Sequence, residues 1–168
     1  MTGRSKFLAH GALLAALYTA LTYFQNFLIP NSATWAIQFR ASEALCVLAL
    51  FTPAAIPGLT IGCLVFNLNY AAALPIDWIV GTLATFGAAS AMWFLRNVKV
   101  RNLPLAGLLM PALFNAVLVG AELTYYFGGG FLLNAFYVAQ GELVVLLVPG
   151  TVLYYAIKRR HLEGRIFG

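Results

Sequence analysis

The chain is organised around the stretch Gln38-Phe39-Arg40-Ala41-Ser42-Glu43-Ala44, in which an arginine and a carboxylate lie three residues apart. Apolar runs stand on both sides of it. Charged side chains inside membrane segments are costly, and they mark ligand or ion sites more often than ordinary packing positions. We therefore expect this stretch to contribute to a functional site.

The composition places the whole chain in a membrane. Of its 168 residues, 62% are hydrophobic and only 9% are charged, and the mean hydropathy is +0.86. A soluble domain carries about 25% charged residues. The apolar runs are continuous and lack the period of two that a membrane β-barrel requires. We predict an all-α integral membrane protein of the cell membrane, multi-pass, with one domain over residues 1–168.

The basic residues predict the orientation. Nine of the ten form three clusters at the ends of apolar runs, namely Arg4 and Lys6, then Arg96, Lys99 and Arg101, then Lys158, Arg159, Arg160 and Arg165. By the positive-inside rule, all three clusters and both termini are cytoplasmic. Arg40 is then the one basic residue on the outer side.

The apolar runs predict a compact bundle of six transmembrane helices, at residues 7–29, 44–56, 58–73, 75–95, 103–125 and 131–157. The second and third runs are short and hinged at Pro53 and Pro57-Gly58, so a partly re-entrant pair is the alternative. The last run exceeds one span, and we expect its helix to begin near Ala139 behind an amphipathic segment.

Small residues recur every four positions in the first span, at Ala12, Ala16 and Ala20. This spacing forms a face that lets another helix approach closely. It is equally typical of packing inside the bundle and of docking against a different subunit.

Four of the five acids, Glu43, Asp77, Glu122 and Glu142, map to the outer half of four different predicted helices. Together with Arg40 they predict a polar cavity open to the outside. Nearby amides and aromatic rings suit a flat, nitrogen-rich ligand; they are Gln38, Asn67, Trp35, Phe39, Trp78, Tyr125 and Tyr126. We interpret Cys46 and Cys63 as packing residues, and we predict no metal and no cofactor.

Four motifs resemble one family. They are Ile37-Gln38-Phe39-Arg40-Ala41-Ser42-Glu43-Ala44-Leu45, then Gly58-Leu59-x-x-Gly62-Cys63-x-x-x-Asn67, Asp77-x-x-x-Gly81-Thr82-Leu83-Ala84-Thr85, and Asn115-Ala116-Val117-x-x-Gly120-x-Glu122-Leu123. They are similar to the QueT-type queuosine-precursor transporters, which are substrate-binding S components of energy-coupling factor (ECF) transporters. The likeness covers nearly the whole chain.

The resemblance implies uptake of a 7-deazaguanine such as preQ1, preQ0 or queuine. It implies a transmembrane coupling subunit (EcfT-type) and two cytoplasmic ATPases (EcfA-type) as partners, since the chain itself has no phosphate-binding loop. It also implies docking to the coupling subunit through Ala12, Ala16 and Ala20. On this reading the ligand contacts come from Gln38, Phe39, Arg40, Glu43, Asn67, Asp77, Glu122, Tyr125 and Glu142.

Other functions remain open at this point. The acids would also suit a proton relay in a secondary transporter. An S component for a different vitamin or nucleobase would need a similar pocket. An intramembrane enzyme has the least support, because no nucleophile with a base and no metal-binding set is visible.

Overall fold

The computed structural model describes residues 3–30, 32, 39–70 and 73–166, and this part of the chain is helical. The helices are α1 (Gly3–Leu28), α2 (Ala41–Leu50), α3 (Ala55–Asn69), α4 (Asp77–Leu95), α5 (Leu105–Phe127), α6 (Phe131–Arg159) and α7 (Leu162–Ile166). The described residues contain no strand, and Val100 and Leu103 form an isolated bridge. The predicted all-α class is confirmed.

Four helices, α1, α4, α5 and α6, are long and apolar enough to cross a membrane. Two shorter apolar helices, α2 and α3, lie between the first and second of these in the chain. The helix α2 is a 3-10 helix, which rises about 2.0 Å per residue. Ten residues in that form therefore reach about as far as thirteen in an α-helix. Six crossings and cytoplasmic termini stay predictions, and the short α7 was not foreseen.

Several predicted boundaries were wrong, since α2 and α3 span Ala41–Leu50 and Ala55–Asn69 in place of 44–56 and 58–73. The segment after Pro53 is helical from Ala55, so Pro57 lies in the first turn of α3 and is no hinge. The last helix begins at Phe131, not near Ala139. Its polar Asn134 is satisfied locally, because its Nδ2 donates to Thr124 Oγ1 at 2.9 Å and to the Gly128 carbonyl at 3.1 Å. Because the Asn134 side chain has these partners, residues 131–138 can belong to the membrane-spanning helix and need not form a separate amphipathic segment.

The helices α1 and α3 touch through their backbones. A Cβ atom on Gly62 would lie 2.8 Å from the Ala15 carbonyl oxygen, and one on Gly58 would lie 2.7 Å from that of Gly11. Such contacts require glycine, because any side chain would separate the helices. The close approach holds the buried face of α1 against the rest of the bundle.

Gly62→Ala is therefore expected to lower the free energy of unfolding by about 1–3 kcal/mol, the usual effect of overpacking a tight contact. The measurement is denaturant or thermal unfolding of the purified chain in detergent. Gly11→Ala is the matched control, since its Cβ would meet its nearest neighbour at an ordinary 3.5 Å. Equal destabilisation by the two variants would show that the α1–α3 contact is not the cause.

The apolar core lies toward the end of the bundle that carries the basic residues. Its fully buried members include Val47, Leu59, Cys63, Met92 and Leu108. Buried polar side chains gather nearer the other end, where α1 and α5 finish and α4 begins. The fold thus separates a packed half from a polar half.

Candidate functional site

An ion pair is at the centre of the polar half. Arg40 is only 4% exposed, and its Nη2 lies 3.5 Å from Asp77 Oδ2. Asp77 is the first residue of α4, where the positive end of the helix dipole stabilises its carboxylate. Asn67, at the end of α3, donates its Nδ2 to the Asp77 carbonyl at 3.0 Å. Three segments of the chain therefore meet at this pair.

Gly81, one turn along α4, leaves room for that meeting. A Cβ atom there would lie 2.7 Å from Asn67 Nδ2, 3.1 Å from Asp77 Oδ1 and 3.8 Å from Arg40 Nη1. The absence of a side chain lets the amide, the carboxylate and the guanidinium converge on one point of the helix surface. Asp77 thus belongs to the polar cluster.

Glu43 has hydrogen-bond partners on both carboxylate oxygens. The Tyr18 hydroxyl donates to Oε1, and the Cys46 thiol donates to Oε2 at 3.0 Å. Cys63 Sγ lies 3.9 Å from Arg40 Nη1 and 3.5 Å from Asn67 Nδ2. Both cysteines are buried as expected for packing residues, and both also contact the polar cluster.

The other two acids come from α5 and α6. Asn115 donates its Nδ2 to Glu142 Oε1 at 3.1 Å, which links these two helices. Glu142 interacts electrostatically with Glu43 and Arg40, and Glu122 does so with Asp77 and Arg40. Arg40 therefore interacts electrostatically with all four carboxylates.

Several buried oxygens in this cluster have no hydrogen-bond donor among the described residues. They are Asn67 Oδ1, Asp77 Oδ1, Glu142 Oε2 and both carboxylate oxygens of Glu122. All five atoms accept hydrogen bonds when the three carboxyl groups are ionised. Buried polar atoms are almost always satisfied, and leaving one without a partner costs about 1–3 kcal/mol. The cluster is thus matched to a molecule that is rich in donors.

Sequence reasoning missed the side chains of α1 that hold the Arg40 segment. Gln25 donates its Nε2 to Ser32 Oγ at 2.8 Å and to the Phe39 carbonyl, while its Oε1 accepts from the Ala41 amide. The Thr22 and Ser42 hydroxyls are hydrogen-bonded to each other, with 2.7 Å between their oxygens. These bonds hold the backbone on both sides of Arg40.

One signal in the sequence points to this contact. Tyr18, Thr22, Gln25 and Asn26 recur at helical spacing in an otherwise apolar span, and all four are buried. Polar residues on one face of a membrane helix indicate a polar neighbour. The period identifies the face, although it does not identify the segment that packs there.

The structure brings together six of the predicted site residues, which are Arg40, Glu43, Asn67, Asp77, Glu122 and Glu142. Phe39 lies at the rim, 39% exposed, and its carbonyl is bound by Gln25. Tyr125 does not join the cluster, since it is 79% exposed and packs edge-on against Tyr126. The predictions for Gln38 and Trp35 concern positions outside the described residues.

Ala12, Ala16 and Ala20 are exposed on α1, on the side away from its buried Leu14 and Tyr18. The close contact with α3 is made instead by Gly11 and Ala15. The alanine face is therefore not used for packing among the described residues.

An all-helical membrane chain with a buried, acceptor-rich cluster has the features of a membrane transport protein that binds a polar solute. Residues 8–159 match the sequence model of the family described as the QueT transporter. The chain belongs to this family, and it is a transporter rather than an enzyme. No curated protein and no solved structure matches it.

Proposed function

We propose that this protein is the substrate-binding S component of an ECF-type importer and that it captures a 7-deazaguanine queuosine precursor. The observation that carries the proposal is the set of five buried acceptor atoms without donors. A deazaguanine presents an amino group and a ring N–H along one edge, and preQ1 adds an ammonium group. Such a ligand would supply donors where the cluster has acceptors.

Glu122 is the best candidate for the guanidine-like edge of the ring. Both of its carboxylate oxygens are buried and lack a donor, so they can accept two parallel N–H bonds. The partners of Glu43, in contrast, are Tyr18 and Cys46. We therefore assign ligand recognition to Glu122, Asp77, Glu142 and Asn67, and we assign a positioning role to Glu43.

The charge balance favours a cationic ligand. Four carboxylates surround one guanidinium in the cluster. The ammonium group of preQ1 would offset part of the excess negative charge, whereas the neutral nitrile group of preQ0 would not. Among the queuosine precursors, the aminomethyl compound preQ1 is therefore expected to bind more tightly than preQ0.

The exposed alanines supply the proposed contact with the transporter's other subunits. A stripe of small residues lets a second helix approach closely in a membrane, where no hydrophobic driving force exists between helices. We assign Ala12, Ala16 and Ala20 to the transmembrane coupling subunit (EcfT-type), which would join this chain to two cytoplasmic ATPases (EcfA-type). The acidic cluster would face the outside and the basic clusters the cytoplasm.

The direct test is calorimetric titration of the purified chain in detergent with preQ1, preQ0, queuine and guanine. Thiamine and riboflavin serve as controls for an S component of different specificity. We expect tight binding of preQ1, weaker binding of preQ0 and none of the two vitamins. A folded chain that binds none of the deazaguanines would overturn the substrate assignment.

Glu122→Gln is expected to weaken preQ1 binding about 10–100-fold, because a hydrogen bond to a charged group contributes about 1.5–3 kcal/mol. The same loss is expected for preQ0, since the guanidine-like edge is common to both ligands. Glu163→Gln, far along the chain in α7, is the matched control and should leave the affinity unchanged. An unaltered affinity in Glu122→Gln would remove this residue from the site.

A proton-coupled secondary transporter is the second candidate, favoured by the buried carboxylates that α5 and α6 bring near Arg40. Such a protein would accumulate substrate in vesicles that lack ATPases, and the uptake would follow an imposed pH gradient. An S component alone would be inactive in this assay. The vesicle experiment therefore separates the two functions even where the binding data agree.

A further inference from the structure

A second polar site lies at the opposite, basic end of the bundle. A cavity of about 220 Å³ opens between the end of α2, the turn after α4 and the end of α6. Its charged lining consists of Arg96, Lys99, Lys158 and Glu163. Three cations and one carboxylate give this wall a net charge of +2 (three minus one) at neutral pH. None of these residues takes part in the cluster around Arg40.

Two of the cations are held by aromatic rings. The Arg96 guanidinium lies 3.6 Å from the centroid of the Trp93 ring, and its Nη1 donates to the Trp93 carbonyl at 2.6 Å. Lys158 Nζ lies 5.7 Å from the Phe51 ring centroid. The positive-inside rule needs only a basic loop, and it does not require side chains fixed around a cavity. Fixed cations are typical of a binding site for a defined anion.

The turn that carries Lys99 is also ordered. Val100 and Leu103 exchange both backbone hydrogen bonds, at 2.8 and 3.1 Å. The two residues between them, Arg101 and Asn102, are left-handed, with φ of 49° and 68°. This is the geometry of a tight two-residue turn. The Tyr154 hydroxyl donates to the Asn102 carbonyl at 3.3 Å and so ties the turn to α6.

Glu163 adds a second kind of group to the cavity wall. His161 is left-handed, with φ of 50°, and the reversal brings Glu163 back to Lys158, whose Nζ lies 3.0 Å from its Oε1. That hydrogen bond lowers the pKa of the Glu163 carboxyl. Its Oε2 is buried and has no donor among the described residues. The cavity thus offers an acceptor beside its cations.

We propose that this cavity binds the headgroup of an anionic phospholipid of the phosphatidylglycerol type. Its phosphodiester would lie between Arg96 and Lys99, and a headgroup hydroxyl would donate to Glu163 Oε2. Free phosphate offers the same anion, but the apolar residues Leu50 and Phe51 in the wall favour a ligand that continues into acyl chains. The inference is independent of the proposed substrate, whose site lies at the other end.

The test is native mass spectrometry of the full-length chain in detergent. The protein is titrated with phosphatidylglycerol, with phosphatidylcholine of the same acyl chains, and with inorganic phosphate. We expect one saturable phosphatidylglycerol adduct and no comparable phosphatidylcholine adduct, because choline carries no donor and the lipid has no net charge. Lys99→Gln is expected to weaken the phosphatidylglycerol adduct about fivefold, the effect of one basic residue near an anionic lipid.

Lys6→Gln is the matched control, since it removes one exposed lysine from the same end of the bundle but not from the cavity. It should leave the adduct unchanged. Equal weakening by both lysine variants would mean a diffuse attraction to anionic lipid and would overturn the site. Competition by inorganic phosphate at equal concentration would overturn the lipid as the source of the anion.

Discussion

Arg40→Gln is expected to lower the free energy of unfolding by about 3–5 kcal/mol, as found when one partner of a buried ion pair is removed. Asp77→Asn is expected to have a much smaller effect. Arg40 interacts with Asp77, Glu43, Glu122 and Glu142, so its loss leaves several carboxylates without a cation. Loss of Asp77 leaves the arginine with three acids. Thermal and denaturant unfolding in detergent measure the difference.

The control for this asymmetry is Arg159→Gln, an exposed arginine at the end of α6, for which we expect a change within about 0.5 kcal/mol. The double variant Arg40→Gln/Asp77→Asn should be more stable than Arg40→Gln alone, because it removes one unpaired charge. Equal losses in the two single variants would contradict the idea that Arg40 serves the whole cluster. The pair with Asp77 would then be an isolated one.

The proposed S-component function predicts that Ala16→Trp abolishes ATP-driven uptake while leaving ligand affinity unchanged. Ala16 is in the middle of the exposed alanine face of α1, and an indole there would prevent close approach of a second helix. The polar cluster around Arg40 contacts the opposite face of α1, through Tyr18. The experiment pairs uptake in vesicles that contain all subunits with calorimetry on the isolated chain.

Ala121→Trp provides the matched control, because Ala121 is also exposed but lies on α5. It should retain uptake. Normal uptake by Ala16→Trp would assign the alanine face to lipid contact. Loss of uptake in both variants would show that any bulky residue on the outside of the bundle interferes, and the assignment of the docking face would fail.

The main features of the polar cluster could be predicted from the sequence because charge inside a membrane is costly. Four acids and an arginine near the same end of different apolar spans have few satisfactory arrangements other than a shared cluster. This argument placed Arg40, Asp77, Glu122 and Glu142 together without any knowledge of helix packing. It could not distinguish the acids that have oxygens without donors from Glu43, whose oxygens accept from Tyr18 and Cys46.

Other details follow from tertiary contacts that composition does not encode. Tyr125 was expected in the site, but aromatic residues at helix ends look alike in sequence whether they face lipid or a cavity. The polar face of α1 indicates that Gln25 has a polar neighbour, but only the tertiary structure identifies its partners as Phe39 and Ala41.

The hydrogen bonds of α1 also bear on the order of biosynthesis. The chain is synthesised from its N-terminus, so α1 is complete before residues 39–43 have been added. Thr22 and Asn26 are satisfied within α1 alone, because each donates to the carbonyl four residues earlier in the same helix, at 2.7 and 2.9 Å. Tyr18 and Gln25 are not satisfied within α1, since their partners belong to the later segment. The nascent first helix therefore carries two unmatched polar groups, which are satisfied once the next stretch of chain has been made.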